Sequence, residues 1–190
     1  MGVDSMKSNS TAAAFFALVM YSLPLTVSAQ DGDFLPNLLN ELAEAPDSLA
    51  ADRLQRSIYS QWSKSGSASA DLLLKRGQTA VESGDLRAAI DHLQVATELA
   101  PDFAHAWHML GVAYFKIEYF GPSMEALEKA LSLNPNHFGA LHGVAAVNEL
   151  VGNTQLAYQA YQQVAQMRPF DSEIEAALER LQAEAQGKKV

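Results

Sequence analysis

Three prolines constrain this chain before any other residue is read: Pro101, Pro135 and Pro169 stand 34 residues apart (135 − 101 and 169 − 135). Proline lacks an amide hydrogen and clashes with the carbonyl one turn before it, so each of the three predicts the end of a helix. A fixed period of this length marks a solenoid, whose units bury their apolar faces only by stacking on one another. In register, the copies run 70–103, 104–137 and 138–171.

Equivalent offsets carry equivalent side chains. The middle copy reads Trp107-x-x-Leu110-Gly111-x-x-Tyr114, then Ser123-x-x-x-Leu127, Ala130 and Pro135. The first carries Leu73, Gly77, Ala80, Ala89, Leu93, Ala96 and Pro101, and the third Leu141, Ala145, Asn148, Ala157, Tyr161, Val164 and Pro169. Small residues at Gly77, Gly111 and Ala145, with Ala89 and Ala157 opposite, allow two helices to approach closely, while Leu73, Trp107 and Leu141 fill the space between pairs. Trp107 and Tyr114 are therefore expected in the core. Gly84-Asp85 and Gly152-Asn153 supply a left-handed residue and a cap between helices. Glu118-Tyr119 replaces that pair in the middle copy, and Gly121-Pro122 restarts its second helix. The chain resembles the tetratricopeptide repeat family, which implies an all-α, right-handed superhelical solenoid of helix-turn-helix units.

Such a stack has an apolar face at each end and needs covering helices. Residues 172–190 are expected to form a C-terminal capping helix and tail, with Ile174, Ala177, Leu178 and Leu181 on one stripe and Lys188-Lys189 just past its end. Residues 30–69 are expected to form an N-terminal helical cap and a Ser/Gly-rich hinge. Leu35, Leu38, Leu39 and Leu42 make one stripe and Ala51, Leu54, Ile58 and Trp62 a second, giving helices at about 35–45 and 48–62. Leaving that much leucine and Trp62 in water would expose an apolar patch, so this pair is expected to dock on the repeats.

Residues 1–29 read as a signal peptide: Lys7 precedes the apolar run 12–27, with small residues at Val27 and Ala29 before the expected cut. Met6 is the expected start. The run is shorter than the roughly 20 residues a bilayer core demands and Pro24 interrupts it, so no stable membrane insertion is expected after cleavage. Cleavage removes one acid, Asp4, and one base, Lys7, leaving the net charge at −9. That charge opposes phosphate and anionic lipid, so no nucleic-acid partner is expected. With no cysteine there is no disulfide, thiolate ligand or cysteine nucleophile. The expected location is the periplasm or the exterior.

The resemblance further implies that the first helix of each pair lines a concave groove where family members bind a peptide or another protein. By offset, Gln78, Glu82, His105, His108, Val112, Phe115, Lys116, His142, Ala146 and Glu149 are the candidate contacts, with Asp71, Leu74 and Gly139 beside them. Phe115 reads as an exposed anchor, and Gly139, Gly143 and Ala146 leave room next to it. Lys116 alone, against Asp71, Glu82 and Glu149, makes no carboxylate clamp. His105, His108 and His142 could converge on a metal, but adjacent helices stand about 8–10 Å apart and no carboxylate or cysteine completes the set, so no metal and no cofactor is expected. His92 and His137 read as surface or packing positions. No phosphate loop, H-E-x-x-H or G-x-S-x-G is present. The expected function is a non-catalytic binding scaffold for a protein or peptide; the alternative is a small periplasmic metal-handling protein using the groove histidines.

Overall fold

The computed structural model describes Met1 and residues 34–187, with side chains through Gln182. Residues 2–29 of the expected signal peptide and Lys188-Lys189 lie outside the described residues. The described residues form helices and turns without a strand: α1 (Phe34–Ala43), α2 (Ser48–Trp62), α3 (Ala68–Ser83), α4 (Leu86–Leu99), α5 (Ala104–Lys116), α6 (Phe120–Leu133), α7 (Phe138–Leu150), α8 (Thr154–Met167) and α9 (Ser172–Gly187). None of the described helices is long and apolar enough to cross a membrane.

Helices α3 to α8 form three antiparallel pairs stacked in chain order, with α3, α5 and α7 touching in sequence as the inner row. Close approach within a pair depends on the absence of a side chain. A Cβ at Gly77 would come within 2.5 Å of Leu93 Cγ, and one at Gly111 within 2.7 Å of Leu127 Cγ. Alanine at either position would collide with the branched leucine that fills the pair. Trp107 is less central than its signature position suggests. It is half-buried, and its indole N–H donates to the Pro101 carbonyl at 2.9 Å, so its ring seals the joint between two repeats from the side.

The three turns inside the repeats use one backbone path. Gly84 and Gly152 adopt φ of 81° and 82°, and Glu118, 34 residues from each, is forced to φ 61°. For a residue with a Cβ that conformation costs about 1–2 kcal/mol. Side-chain caps differ from turn to turn. Asp85 accepts from the Ala88 amide at 3.1 Å, while Tyr119 offers no cap, and Asn153 instead donates to the Asn148 side chain at 3.1 Å.

The two additions go to different places. Helix α9 packs along α8 and covers the apolar end of the third repeat, burying Ile174, Ala177 and Leu181 against Ala157, Tyr161 and Val164. Helices α1 and α2 form a hairpin, but it does not continue the stack beyond the first repeat. It folds back across the inner row to the third: Leu42, Ala45, Ala51, Ile58 and Trp62 share one core with Phe138, and Met167 packs on its edge. The Ser63–Ser67 linker is pinned as it leaves, because Asp71 accepts from both the amide and the hydroxyl of Ser65, at 2.7 and 2.6 Å.

Candidate functional site

The concave face begins with the side chains that the inner helices turn away from their pairs. On α5 these are His105, His108, Val112, Phe115 and Lys116; on α7 they are Gly139, His142, Gly143 and Ala146. Half of this face is occupied by the chain itself. Tyr59 and Trp62, one turn apart on α2, reach into it. Trp62 stacks on His137 with ring centroids 4.2 Å apart, and Tyr59 lies 5.5 Å from the His105 ring and 5.1 Å from Phe138. The space at Gly139 is consequently filled: a Cβ there would sit 2.7 Å from the Tyr59 hydroxyl and 3.1 Å from His108. The bare surface expected at that glycine is the socket for Tyr59, although the expected room beside Phe115 remains at Gly143 and Ala146.

Beneath the hairpin lies a cluster of three histidines, 3%, 7% and 0% exposed at His105, His108 and His137. The sequence pairing of His142 with His105 and His108 is corrected here. His137, the N-cap of α7, sends its ring back toward α5, whereas His142 lies five residues farther along with its ring 5.7 Å from Tyr161. A 34-residue offset places His108 and His142 at equivalent points on successive helices, and equivalent points are a helix spacing apart. The cap position, by contrast, lies at the helix end where the chain crosses between repeats.

The backbone sets the direction of the hydrogen bonds in this cluster. The Ala140 amide donates to His137 Nδ1 at 3.1 Å, so in the neutral ring Nε2 carries the hydrogen. That N–H donates to His105 Nδ1 at 3.1 Å, which leaves the hydrogen of His105 on Nε2, 3.2 Å from Gln78 Nε2; the Gln78 amide, turned over, presents its oxygen as the acceptor. Burial pushes His105 down to about 4 and His137 to about 3, each below the usual imidazole value near 6.5. His108 is held well below it by burial and by the neighbouring imidazoles. Nitrogens of the three rings lie within 4.8 Å of one another, and a metal there would compete with the hydrogen bonds of His137. One His137 nitrogen accepts a backbone amide and the other carries the proton, so coordination would require breaking the cap of α7.

The open half of the face is a pocket of about 380 Å³ lined by His108, Val112, Phe115, Lys116, His142 and Ala146, with Tyr59 on one wall. Phe115 is half-buried there and braced edge-on by Phe120 at 5.9 Å. Arg168 and Glu173 border the pocket. The Arg168 guanidinium pairs with Asp171 and lies 5.7 Å from the Phe138 ring centre. His142 is half-buried, and burial lowers its pKa.

The other candidates lie elsewhere. Gln78 terminates the histidine relay, Glu82 is exposed at the far end of α3, and Leu74 is buried in the core of the first two repeats. Asp71 holds the linker. Glu149 turns out of the pocket to accept from Arg180 Nε at 2.9 Å and from the Tyr161 hydroxyl at 3.0 Å. Sequence reasoning missed Tyr59 and Arg168. Tyr59 was detectable as an aromatic one turn before Trp62 on a helix without a repeat partner; Arg168, beside the closing proline of the third copy, gave no comparable signal.

Comparison with known proteins agrees with this architecture. The tetratricopeptide repeat profile matches residues 104–137. A TPR repeat-containing protein of Rhizobium etli is 34% identical over 137 residues, covering 72% of this chain and 67% of that protein. Superkiller complex protein 3 of Mus musculus is 28% identical over 95 residues, half of this chain and 6% of that protein. Among solved structures, the first TPR of Spaghetti (RPAP3), bound to the HSP90 peptide SRMEEVD, superposes with a TM-score of 0.59 at 20% identity, covering 61% of this chain and 92% of that one.

Proposed function

The chain belongs to the tetratricopeptide repeat family, and from that membership we propose that it is an exported, non-catalytic scaffold that holds a protein or peptide segment against the concave face of its second and third repeats. The observation that carries this reading is the pocket itself, where two successive inner helices bring Val112, Phe115 and Ala146 together as an apolar floor with Lys116 and His142 at its border. A cavity of about 380 Å³ is large enough for a bulky apolar side chain. The Spaghetti domain, similar in fold, is bound to a peptide, which supports a peptide or protein segment as the ligand here. The net charge of −9 favours a partner with basic surface. Lys116 has no second free cation beside it, since Arg168 is engaged by Asp171, so recognition rests on the apolar floor. The leader-like residues 1–29 support export to the periplasm or exterior, with Gln30 as the first residue of the mature chain.

The test is a photo-crosslinking amino acid at Val112 in the producing cells, with Phe115→Ala and His142→Ala combined as the control background. A crosslinked partner that disappears in the folded double variant supports the pocket. A partner captured equally well without these side chains overturns it. Sequencing the mature amino terminus checks export: a protein that retains residues 1–29 contradicts the leader.

A further inference from the structure

The hairpin sits on a group of side chains that can be neutral or charged, and only the neutral form fits. Tyr59 and Trp62 dock on His105 and His137, and these two rings share a hydrogen bond that requires an unprotonated nitrogen on His105. His137 must also stay unprotonated at Nδ1 to accept the Ala140 amide and cap α7. Protonating either ring removes an acceptor and places a charge where solvent does not reach.

The neighbouring groups offer little compensation. Tyr59 faces the cluster from α2, Gln78 from α3 and His142 from α7, with Arg168 at the end of α8. Lys116 of α5 borders the adjoining pocket. Of the acids nearby, Glu173 of α9 acts on His142, and Asp171 is occupied by Arg168. Asp52, Arg53 and Arg56 of α2 are exposed. The docked state also carries a cost at rest: the Trp62 indole N–H and His108 Nδ1 are buried without a hydrogen-bond partner in the protein.

We infer that the α1–α2 hairpin is an acid-released clasp, docked over the concave face while His105, His108 and His137 are neutral and freed when they take up protons. The direction follows from linkage. The docked values are depressed, so the stabilisation is fully present above the solvated imidazole value of about 6.5 and is lost as pH falls from there toward about 4. At pH 5 each histidine that regains a solvated value on release shifts the equilibrium toward the free hairpin by up to about 30-fold, and two together by up to about a thousandfold. Release therefore begins in mild acid, well above the docked values themselves. It uncovers Phe138, Gly139 and the histidines, enlarging the open groove toward the first repeat. This clasp does not require the groove-binding reading, since it concerns the hairpin whether or not a partner is present.

The experiment is amide hydrogen exchange on the full chain at pH 7.5 and pH 5, corrected for intrinsic rates and compared helix by helix. Protection over residues 48–62 is expected to fall at least about tenfold at pH 5, while α4 and α9 retain theirs. His137→Asn, which keeps a cap acceptor but cannot titrate, should reduce the pH dependence, and His92→Asn, on the outer helix α4 away from the relay, should leave it intact. The wild-type profile decides without any variant. Equal protection of α2 at both pH values overturns the clasp, as does loss of α2 and α9 together in a single acid unfolding. A His137→Asn protein with the full wild-type pH dependence overturns the assignment to the relay.

Discussion

Helix α9 and the α1–α2 hairpin both lie outside the repeats, yet α9 extends the stack while the hairpin turns back into the groove. The difference lies in how each is attached and what each buries. Asp171 caps α9 immediately after α8, accepting from the Glu173 and Ile174 amides at 3.0 and 3.2 Å, so the helix is set in direction by its own first turn. Its apolar stripe is aliphatic and meets Ala157, Val164 and the ring of Tyr161, with no imidazole among them. The hairpin is attached through a Ser/Gly linker, and its anchors are aromatic rings on imidazoles. Aliphatic packing is insensitive to pH, whereas packing on histidine carries the titration of its partner into the interface. One addition is therefore a permanent part of the stack, and the other is conditional.

This contrast can be broken or sharpened by substitution. Trp62→Ala is expected to have the largest effect, about 3–5 kcal/mol, as a buried aromatic truncation. It should appear in hydrogen exchange as lost protection across α1 and α2 with α9 unchanged; a chain that loosens throughout would mean the hairpin is integral to the repeats. Ile174→Ala is the converse, costing about 2–5 kcal/mol by thermal unfolding, with α8 and α9 loosened and α2 retained. Asp71→Ala frees Ser65 and should lower the pH-7.5 protection of α2 by about two- to tenfold, corresponding to about 0.5–1.5 kcal/mol for a lost hydrogen bond. Glu118→Gly is expected to raise stability by about 1 kcal/mol by relieving the left-handed backbone, raising Tm without altering the difference between hairpin and α9. A change in that difference would show that the middle turn communicates with the groove.

The repeats were legible because each physical requirement leaves its own residue at its own offset. Pro101, Pro135 and Pro169 mark the helix ends, and Gly77 and Gly111 mark contacts too close for a Cβ. The left-handed turn was legible even where its glycine is replaced, since Glu118 occupies the position by register. The amphipathic stripes of α1 and α2 were equally plain, but a stripe states only that a face must be buried, without saying against what. The destination depended on complementarity between unrelated positions: the socket at Gly139, the ring of His137 turned back from a cap, and two aromatics on α2. Periodicity pointed instead to His142, because it compares like with like, and this cluster joins a helix interior to a helix end. Trp107 shows the same limit, as its signature position placed it in the core while the fold leaves it half-buried at the seam.

The long span between the hairpin and its seat also orders events in time. Phe138 and Met167, against which Leu42, Ile58 and Trp62 are buried, lie about 75 or more residues further along the chain. During synthesis, which proceeds from the amino terminus, α1 and α2 emerge before their seat exists. Docking waits until the third repeat has been made and folded. Until then Trp62 and the leucine stripe of α1 have no seat and remain open to whatever binds a nascent polypeptide.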